Sequence, residues 1–440
     1  MKVLIVGTGG VGESMAAIAK RRDPNKGWLE KMVMADYDLA KAQAISKRLG
    51  EDRFPAEKVD ASKPDEVAAL ATKHGVDIIC NLVAPEFNPQ LLQAALKAKT
   101  HYLDTAMTVS EPHPEGKIGP TGVMLGDKEF PLSPEFEKIG KVAFAGFGVE
   151  PGMADYFARY AADHMFDEIE EIGIRDGSNL EIPGAKGISF GFSIWTTIEE
   201  CTQPAIVWEK GKGWYTIEPF AELEPFFLPE GIGTVEIAHV EHEEVVNLGR
   251  SAHLLKGNKK ATFKYALGDE FMAAIDIFKS TNMDKKTPIK VKGVEVAPRD
   301  VIAAAAPDPN EIGEKYVGQT AAGTWVRGKK DGMVREAYLY QVADNAECVG
   351  KYGTQVVTAQ TAFTPVITLE LIATGKLIGY RGNPESGVHV PEEFSADDFV
   401  ALMPAYEFPG GLLEMDAEYK RHQDRQSLVS AAKALAAAAK

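Results

Sequence analysis

Gly7, Gly9 and Gly12 stand in the spacing G-x-G-x-x-G, directly after the apolar run Val3-Leu4-Ile5-Val6 and directly before a helical pattern over residues 13–20. Strand, turn and helix in that order bind the pyrophosphate of a dinucleotide. Gly7 permits the tight turn, Gly9 lets the backbone approach the phosphates, and Gly12 lets the helix pack closely on the strand. The free N–H groups at Gly10 and Val11, with the positive end of the helix dipole, then face the anion. Asp36 closes the second apolar run, Met32-Val33-Met34-Ala35. A carboxylate there accepts hydrogen bonds from ribose hydroxyls and repels a 2′-phosphate, which favours NAD over NADP. The other reading of Asp36 is a cap for a helix beginning near Leu39.

Proton transfer needs ionisable groups at the carboxyl edge of such a sheet. Tyr102 and Asp104 lie in the short run His101-Tyr102-Leu103-Asp104, and Glu150 lies in the turn over residues 146–152. All three are candidate catalytic groups. Against that, Asp104 also reads as a loop cap, Glu150 as the closure of a proline turn, and Tyr102, by strand alternation, as core. Asn81, Val83 and Ala84 lie where the fourth strand ends, and Asp60 follows the third, placed to reach the adenine edge. Open α/β sheets bind ligand at these strand ends, so the four are candidate cofactor contacts.

His239 and His242 invite a metal reading. On a strand, however, residues 239 and 242 point to opposite faces, and no further ligand set is near, so no metal is expected. His239 is instead a candidate substrate contact, with a solvated strand end as the other reading. Arg250 is a candidate carboxylate clamp, because its planar fork suits bidentate contact, although an arginine after a glycine also reads as a surface residue. Cys80 and Cys201 lie in apolar or strand contexts and read as small core residues.

The elements that must position these groups alternate regularly at first. Strands are expected over residues 32–36, 54–59, 76–82, 101–104 and 141–145, with helices between them over 41–49, 62–74 and 89–98. This βαβ alternation predicts a doubly wound parallel sheet with an α/β fold class. A proline- and glycine-rich stretch over residues 105–134 shows no period and reads as a lid or substrate loop. From residue 166 the pattern changes to strands over 169–175, 187–195, 234–240 and 288–296, with a hairpin over 206–217. These imply a second, α+β domain. An all-round apolar helix follows over residues 354–374 and reads as buried, and another is expected from Asp416 to the end. The expected domains are 1–150 for the dinucleotide, 151–353 for substrate, and 354–440 as a helical return to the first.

The chain has 440 residues and a formal net charge of −16. That charge offers no general attraction to nucleic acid or anionic membranes, and no apolar stretch reads as a membrane span. Three widely separated cysteines exclude a disulfide framework and suit a cytoplasmic setting.

The glycine turn, Asn81-Leu82-Val83-Ala84-Pro85, His101-Tyr102-Leu103-Asp104-Thr105-Ala106, Gly148-Val149-Glu150-Pro151-Gly152, the segment Thr358 to Pro365, and Gly387-Val388-His389-Val390-Pro391-Glu392-Glu393 together resemble the saccharopine dehydrogenase family. Where that family more often has Asp-Pro-Gly, this chain has Glu150-Pro151-Gly152. The resemblance implies a Rossmann domain built from both ends of the chain, with an inserted α+β domain for substrate and dimerisation, and hence a homodimer. It also implies an NAD(P)-dependent oxidoreductase that forms or oxidises a secondary amine through an imine, from an amine or amino acid and an aldehyde. Within the family, Tyr102-Leu103-Asp104-Thr105-Ala106 and Phe166-Asp167-Glu168-Ile169 look like carboxynorspermidine dehydrogenase, a polyamine-forming alternative whose cationic substrate the acidic surface would suit. A dinucleotide sensor without turnover is the reading from another class.

Overall fold

The computed structural model describes residues 1–111, 122–185, 187–377, 379 and 386–438, with only the backbone described at 310 and 428–438. The strands β1 (Lys2–Val6), β2 (Lys31–Asp36), β3 (Ala56–Lys58), β4 (Ile78–Asn81), β5 (His101–Asp104) and β6 (Val142–Phe144) form one parallel sheet. Its order is β3-β2-β1-β4-β5-β6, and a strand from far along the chain, Gly387–His389, adds a seventh position beside β6. The central strands β1 and β4 are buried on both faces, which accounts for their unbroken apolar runs. The connecting helices are α1 (Gly10–Arg22), α2 (Leu39–Leu49), α3 (Pro64–His74), α4 (Asn88–Ala98) and α5 (Ser133–Ile139). Helix α3 starts two residues later than the pattern at Ser62 suggests, because Pro64, lacking an N–H, takes the first helical turn.

After α6 (Met153–Tyr160), the chain enters a mixed nine-stranded sheet around β7 (Glu168–Ser178). β7 lies between Lys260–Tyr265, to which it is parallel, and Gln319–Lys330, to which it is antiparallel. Gln319–Lys330 pairs in turn with Met333–Asp344 over their whole lengths. The hairpin expected over 206–217 is present as Ala205–Glu209 and Gly213–Ile217. The strand expected over 187–195 is absent: this stretch leads into the helix Ile194–Thr202, whose first turn is capped by the Ser193 hydroxyl.

The apolar helix Val356–Ala373 packs against α1 and is buried for most of its length despite Pro365. It is long and apolar enough to cross a membrane, yet 78% of it is buried inside the molecule, as in a core helix. Bidentate bonds from Arg22 to Glu370, each of 2.8 Å, and a 2.6 Å bond between the Ser14 and Thr354 hydroxyls fasten it to α1. The middle of the proline-rich loop, including Pro112, Pro114, Gly116, Gly119 and Pro120, lies outside the described residues.

Candidate active site

The glycine turn has the shape a pyrophosphate needs. Gly7 sits at φ +101°, and a Cβ there would fall 2.6 Å from the Leu82 carbonyl oxygen. At Gly12 a Cβ would fall 2.2 Å from the Gly7 carbonyl oxygen, so α1 can approach β1 only with glycine at this position. Gly9 is different: nothing lies within 4 Å of the position a Cβ would take. The space beside it is free for a ligand to meet the backbone. Helix α1 opens at Gly10 and Val11 with no side-chain cap, which leaves its first N–H groups for an anion. A cavity of about 360 Å³ opens on Thr8, Gly9 and Gly10 and is bounded by Lys41, Arg48 and the turn Gly353-Thr354-Gln355. These residues fit a dinucleotide.

Asp36 lies at the end of β2, and its Oδ2 accepts from the Thr8 N–H at 2.7 Å and the Thr8 hydroxyl at 2.8 Å. The cap of α2 is Asp38, which accepts from the Ala40 and Lys41 N–H groups. Asp36 therefore braces the glycine turn, and its oxygens retain lone pairs towards a ribose. Asp60 accepts from the Ser62 N–H at 3.0 Å and the Ser62 hydroxyl at 2.6 Å, so its carboxylate is turned into its own loop.

Beyond β4 and β5 a buried polar network holds the loops at the sheet edge. The Asn81 amide donates to Tyr102 Oη at 2.9 Å and to Asn88 Oδ1 at 2.7 Å, while Asn81 Oδ1 accepts from the Val83 N–H at 3.2 Å. Val83 is half-buried and Ala84 exposed, so this loop reaches the cleft. Asn88 donates to Glu129 at 2.9 Å, and Glu129 takes both the N–H and the hydroxyl of Thr108. Asp104 is buried and accepts the Gly146 N–H at 2.6 Å, which ties the end of β5 to the turn after β6. Burial, and then Glu129, push its carboxyl well above the usual range. Tyr102 is fully buried, and desolvation likewise raises its hydroxyl. Both are thus interior groups bonded to the loops that face the cleft.

Glu150, in contrast, meets a set of carboxyls from the second domain. It lies beside Asp176 of β7, and both side chains are half-buried. Burial and then the Asp176 charge raise Glu150 far above a normal carboxyl; Asp176 is raised by burial and eased by its neighbours Glu150 and His242. Glu200, on the helix Ile194–Thr202, and Glu243 and Glu244, at the entry to the helix Glu244–Arg250, complete the group. Burial lifts Glu200 to about 8 and Glu243 to about 7, and raises Glu244 further. His242 is the one basic side chain paired with them among the described residues. Its Nδ1 bonds Glu244 and lies 3.3 Å from Glu243, its Nε2 lies 3.9 Å from Glu200, and its ring stacks on Phe263 at 3.9 Å.

The two histidines of the sequence reading part company. His239 ends the strand Gly233–His239, pairs with Lys264, and is buried with its Nε2 3.2 Å from Glu222. Thr262 and Lys264 line the same side of the sheet as His239, whereas Phe263, between them, faces His242. His239 is thus set apart from the group of carboxyls: the sheet stands between them. His242 lies beyond the strand end, so the opposite-face argument does not govern it. Its ligand atom and those of Glu243 and Glu244 fall within 4.8 Å of one another. Arg250 is exposed at the end of its helix, with its guanidinium 3.7 Å above the Phe130 ring. Sequence reasoning singled out His242 only beside His239 and missed Asp176, Glu200, Glu243 and Glu244 as site residues; the available signal was the charged run Glu241-His242-Glu243-Glu244 between valines.

Residues 3–143 match the model of the saccharopine dehydrogenase NADP binding domain, and residues 148–405 that of the saccharopine dehydrogenase C-terminal domain. A carboxynorspermidine synthase of Vibrio alginolyticus is 28% identical over 415 residues, covering 92% of this chain and 95% of that protein. A carboxyaminopropylagmatine dehydrogenase of Synechocystis is 27% identical over 404 residues, covering 91% of this chain and 95% of that protein. The structure of saccharopine dehydrogenase (L-Glu forming) from Saccharomyces cerevisiae superimposes with a TM-score of 0.64 at 14% identity, covering 94% of this chain and 100% of that one.

Proposed function

The chain belongs to the saccharopine dehydrogenase family, and from that premise we propose that its carboxyl-lined cleft binds a cationic amine and reduces the imine this amine forms with an aldehyde. The enzyme is an NAD(P)-dependent oxidoreductase acting on CH–NH bonds. Within that class we favour the polyamine-forming branch. The observation that carries this choice is the grouping of Glu150, Asp176, Glu200, Glu243 and Glu244 around a single basic side chain, His242. Buried carboxyls in such excess either hold protons or hold a cation, and an amine with more than one positive charge answers several at once. The names of two relatives, carboxynorspermidine synthase and carboxyaminopropylagmatine dehydrogenase, support the same reading.

The residues divide the work as follows. Gly7 to Gly12 and Asp36 hold the dinucleotide, and we prefer NAD because a carboxylate at Asp36 would repel a 2′-phosphate. When bound in reduced form, the dinucleotide supplies the hydride. Glu200, Glu243 and Glu244 hold the distal ammonium. The Glu150–Asp176 pair, half-buried, gives and takes protons at nitrogen and water as the amine and aldehyde lose water and the imine becomes a secondary amine. Asp104 and Tyr102 position the loops. We place the enzyme in the cytoplasm as a homodimer: its cysteines are free and buried, and the edge strands of the second sheet expose Phe227 and Leu412.

The test is loss of NADH or NADPH absorbance with amine–aldehyde pairs. A short diamine or agmatine with a small aldehyde should turn over faster than lysine with a keto acid. Turnover with lysine alone would overturn the polyamine reading, and binding of NADH without oxidation by any pair would point to a sensor.

A further inference from the structure

Glu13 stands in the first turn of α1, the helix whose positive end and free N–H groups receive the pyrophosphate. Its N–H bonds the Gly9 carbonyl at 2.9 Å, and its side chain lines the same cavity of about 360 Å³ as Gly9 and Gly10. The charged residues around that cavity are Glu13 and Glu314 against Lys41 and Arg48, so it is balanced before any ligand enters. Arg48 reaches across from α2, and one terminal nitrogen of its guanidinium bonds Glu13 Oε1. The other terminal nitrogen lies against Gly353, which holds φ +78° and where a Cβ would fall 2.4 Å from it. The turn Gly353-Thr354-Gln355 thus leaves room for this arginine by carrying no side chain at its first position.

A pyrophosphate brings negative charge to a place that already holds a carboxylate. While the site is empty, Glu13 stabilises the positive end of α1; once it is filled, the phosphates take that end and the carboxylate opposes them. Glu314 is exposed, so water screens it. The Glu13 side chain is 27% exposed, and burial raises its carboxyl against the pull of Arg48 and Lys41, so the conflict is screened less there. The Arg48 fork carries five N–H donors, and its bond to Glu13 leaves others for a phosphate oxygen.

We propose that Glu13 is a built-in competitor of the cofactor pyrophosphate, and that Arg48 sets how tightly the dinucleotide is held by dividing its donors between that carboxylate and the phosphates. Glu13 keeps the empty helix end satisfied and weakens the hold on the spent dinucleotide, while Arg48 offsets the repulsion in the filled state. The assignment concerns the dinucleotide alone and holds whichever amine is the substrate.

The test is the dissociation constant of NADH or NADPH, whichever binds more tightly, for the full-length protein at constant ionic strength, read by nicotinamide fluorescence. Glu13→Gln should tighten binding about threefold, and Arg48→Met should weaken it about tenfold. The double variant should bind more tightly than Arg48→Met alone, because no unpaired carboxylate then remains beside the phosphates. Loss of a purely structural ion pair would move both single variants the same way, so opposite shifts identify competition. Glu13→Gln binding the cofactor as the unaltered chain does, or more weakly, would overturn the proposal. So would an Arg48→Met variant of unchanged affinity, or a double variant no tighter than Arg48→Met.

Discussion

The Glu243 carboxylate accepts the Met107 N–H at 3.2 Å, and through this bond the sheet domain holds the loop that leaves β5 of the nucleotide domain. Glu243 also lies 3.3 Å from His242, so the same side chain belongs to the group of carboxyls. Glu243→Ala should therefore loosen the loop and raise KM for the amine by about tenfold, in keeping with a lost charged hydrogen bond. Glu243→Gln keeps an acceptor and should restore protection of the Met107 amide in hydrogen exchange without restoring amine affinity. Equal behaviour of the two variants in both measurements would separate Glu243 from one of its two tasks.

The Glu150–Asp176 pair is the proposed proton carrier. Glu150→Gln or Asp176→Asn should lower kcat by roughly 100-fold, the usual effect of losing a general acid–base, and leave cofactor affinity nearly unchanged. Single-turnover rates with bound reduced cofactor measure this directly. Full turnover in both variants would move proton transfer elsewhere.

Asp36 has two consequences that substitution can separate. Its bonds to Thr8 brace the turn for either cofactor, whereas its charge discriminates against a 2′-phosphate. Thr8→Ala should weaken NAD and NADP alike. Asp36→Ala should weaken NAD more and narrow the gap between them, as read from kcat/KM with each. Unchanged kinetics with both cofactors would dismiss the ribose role.

The raised carboxyls make a pH prediction with a definite sign. Glu243 and Glu200 titrate at about 7 and about 8 in the folded chain, against 4.5 for a free side chain. Between those values the folded protein holds protons that the unfolded chain has released. Stability is then fullest below about 4.5 and is lost as pH rises through 7 to 8. The ligand-free melting temperature should fall from about pH 6 to about pH 8.5, and a saturating diamine should flatten the fall, because its charge replaces the protons. A melting temperature that rises over this range would contradict the cluster as described.

Much of the nucleotide domain was legible in the sequence because it is local. The glycine spacing, the apolar runs of β1, β2 and β4, and the helices between them each announce themselves within a short window. The second sheet was harder. Gln319–Lys330 reads poorly as a strand, with Ala321, Ala322 and Gly323 in place of branched residues, yet a Cβ at Gly323 would fall 2.2 Å from the Leu339 carbonyl oxygen. Close strand packing, which no periodicity records, selected those small side chains. The candidate site divides the same way. Glu150 stands in a recognisable turn, whereas Asp176, Glu200 and Glu244 come from a strand and two helices that meet only in three dimensions.

The seventh strand of the nucleotide sheet, Gly387–His389, and the helix Val356–Ala373 that covers α1 are made after most of the inserted sheet. During synthesis the glycine turn precedes both, and the helix behind it stays without its apolar cover until all strands of the inserted sheet but Gly411–Glu414 have been translated. The nascent nucleotide domain therefore waits, through the translation of most of the inserted sheet, with the face of α1 that carries Ser14 and Arg22 open to water. Completion of the cofactor site is thus coupled in time to completion of the substrate domain, and a chain released early would display adhesive surface before it could bind a dinucleotide.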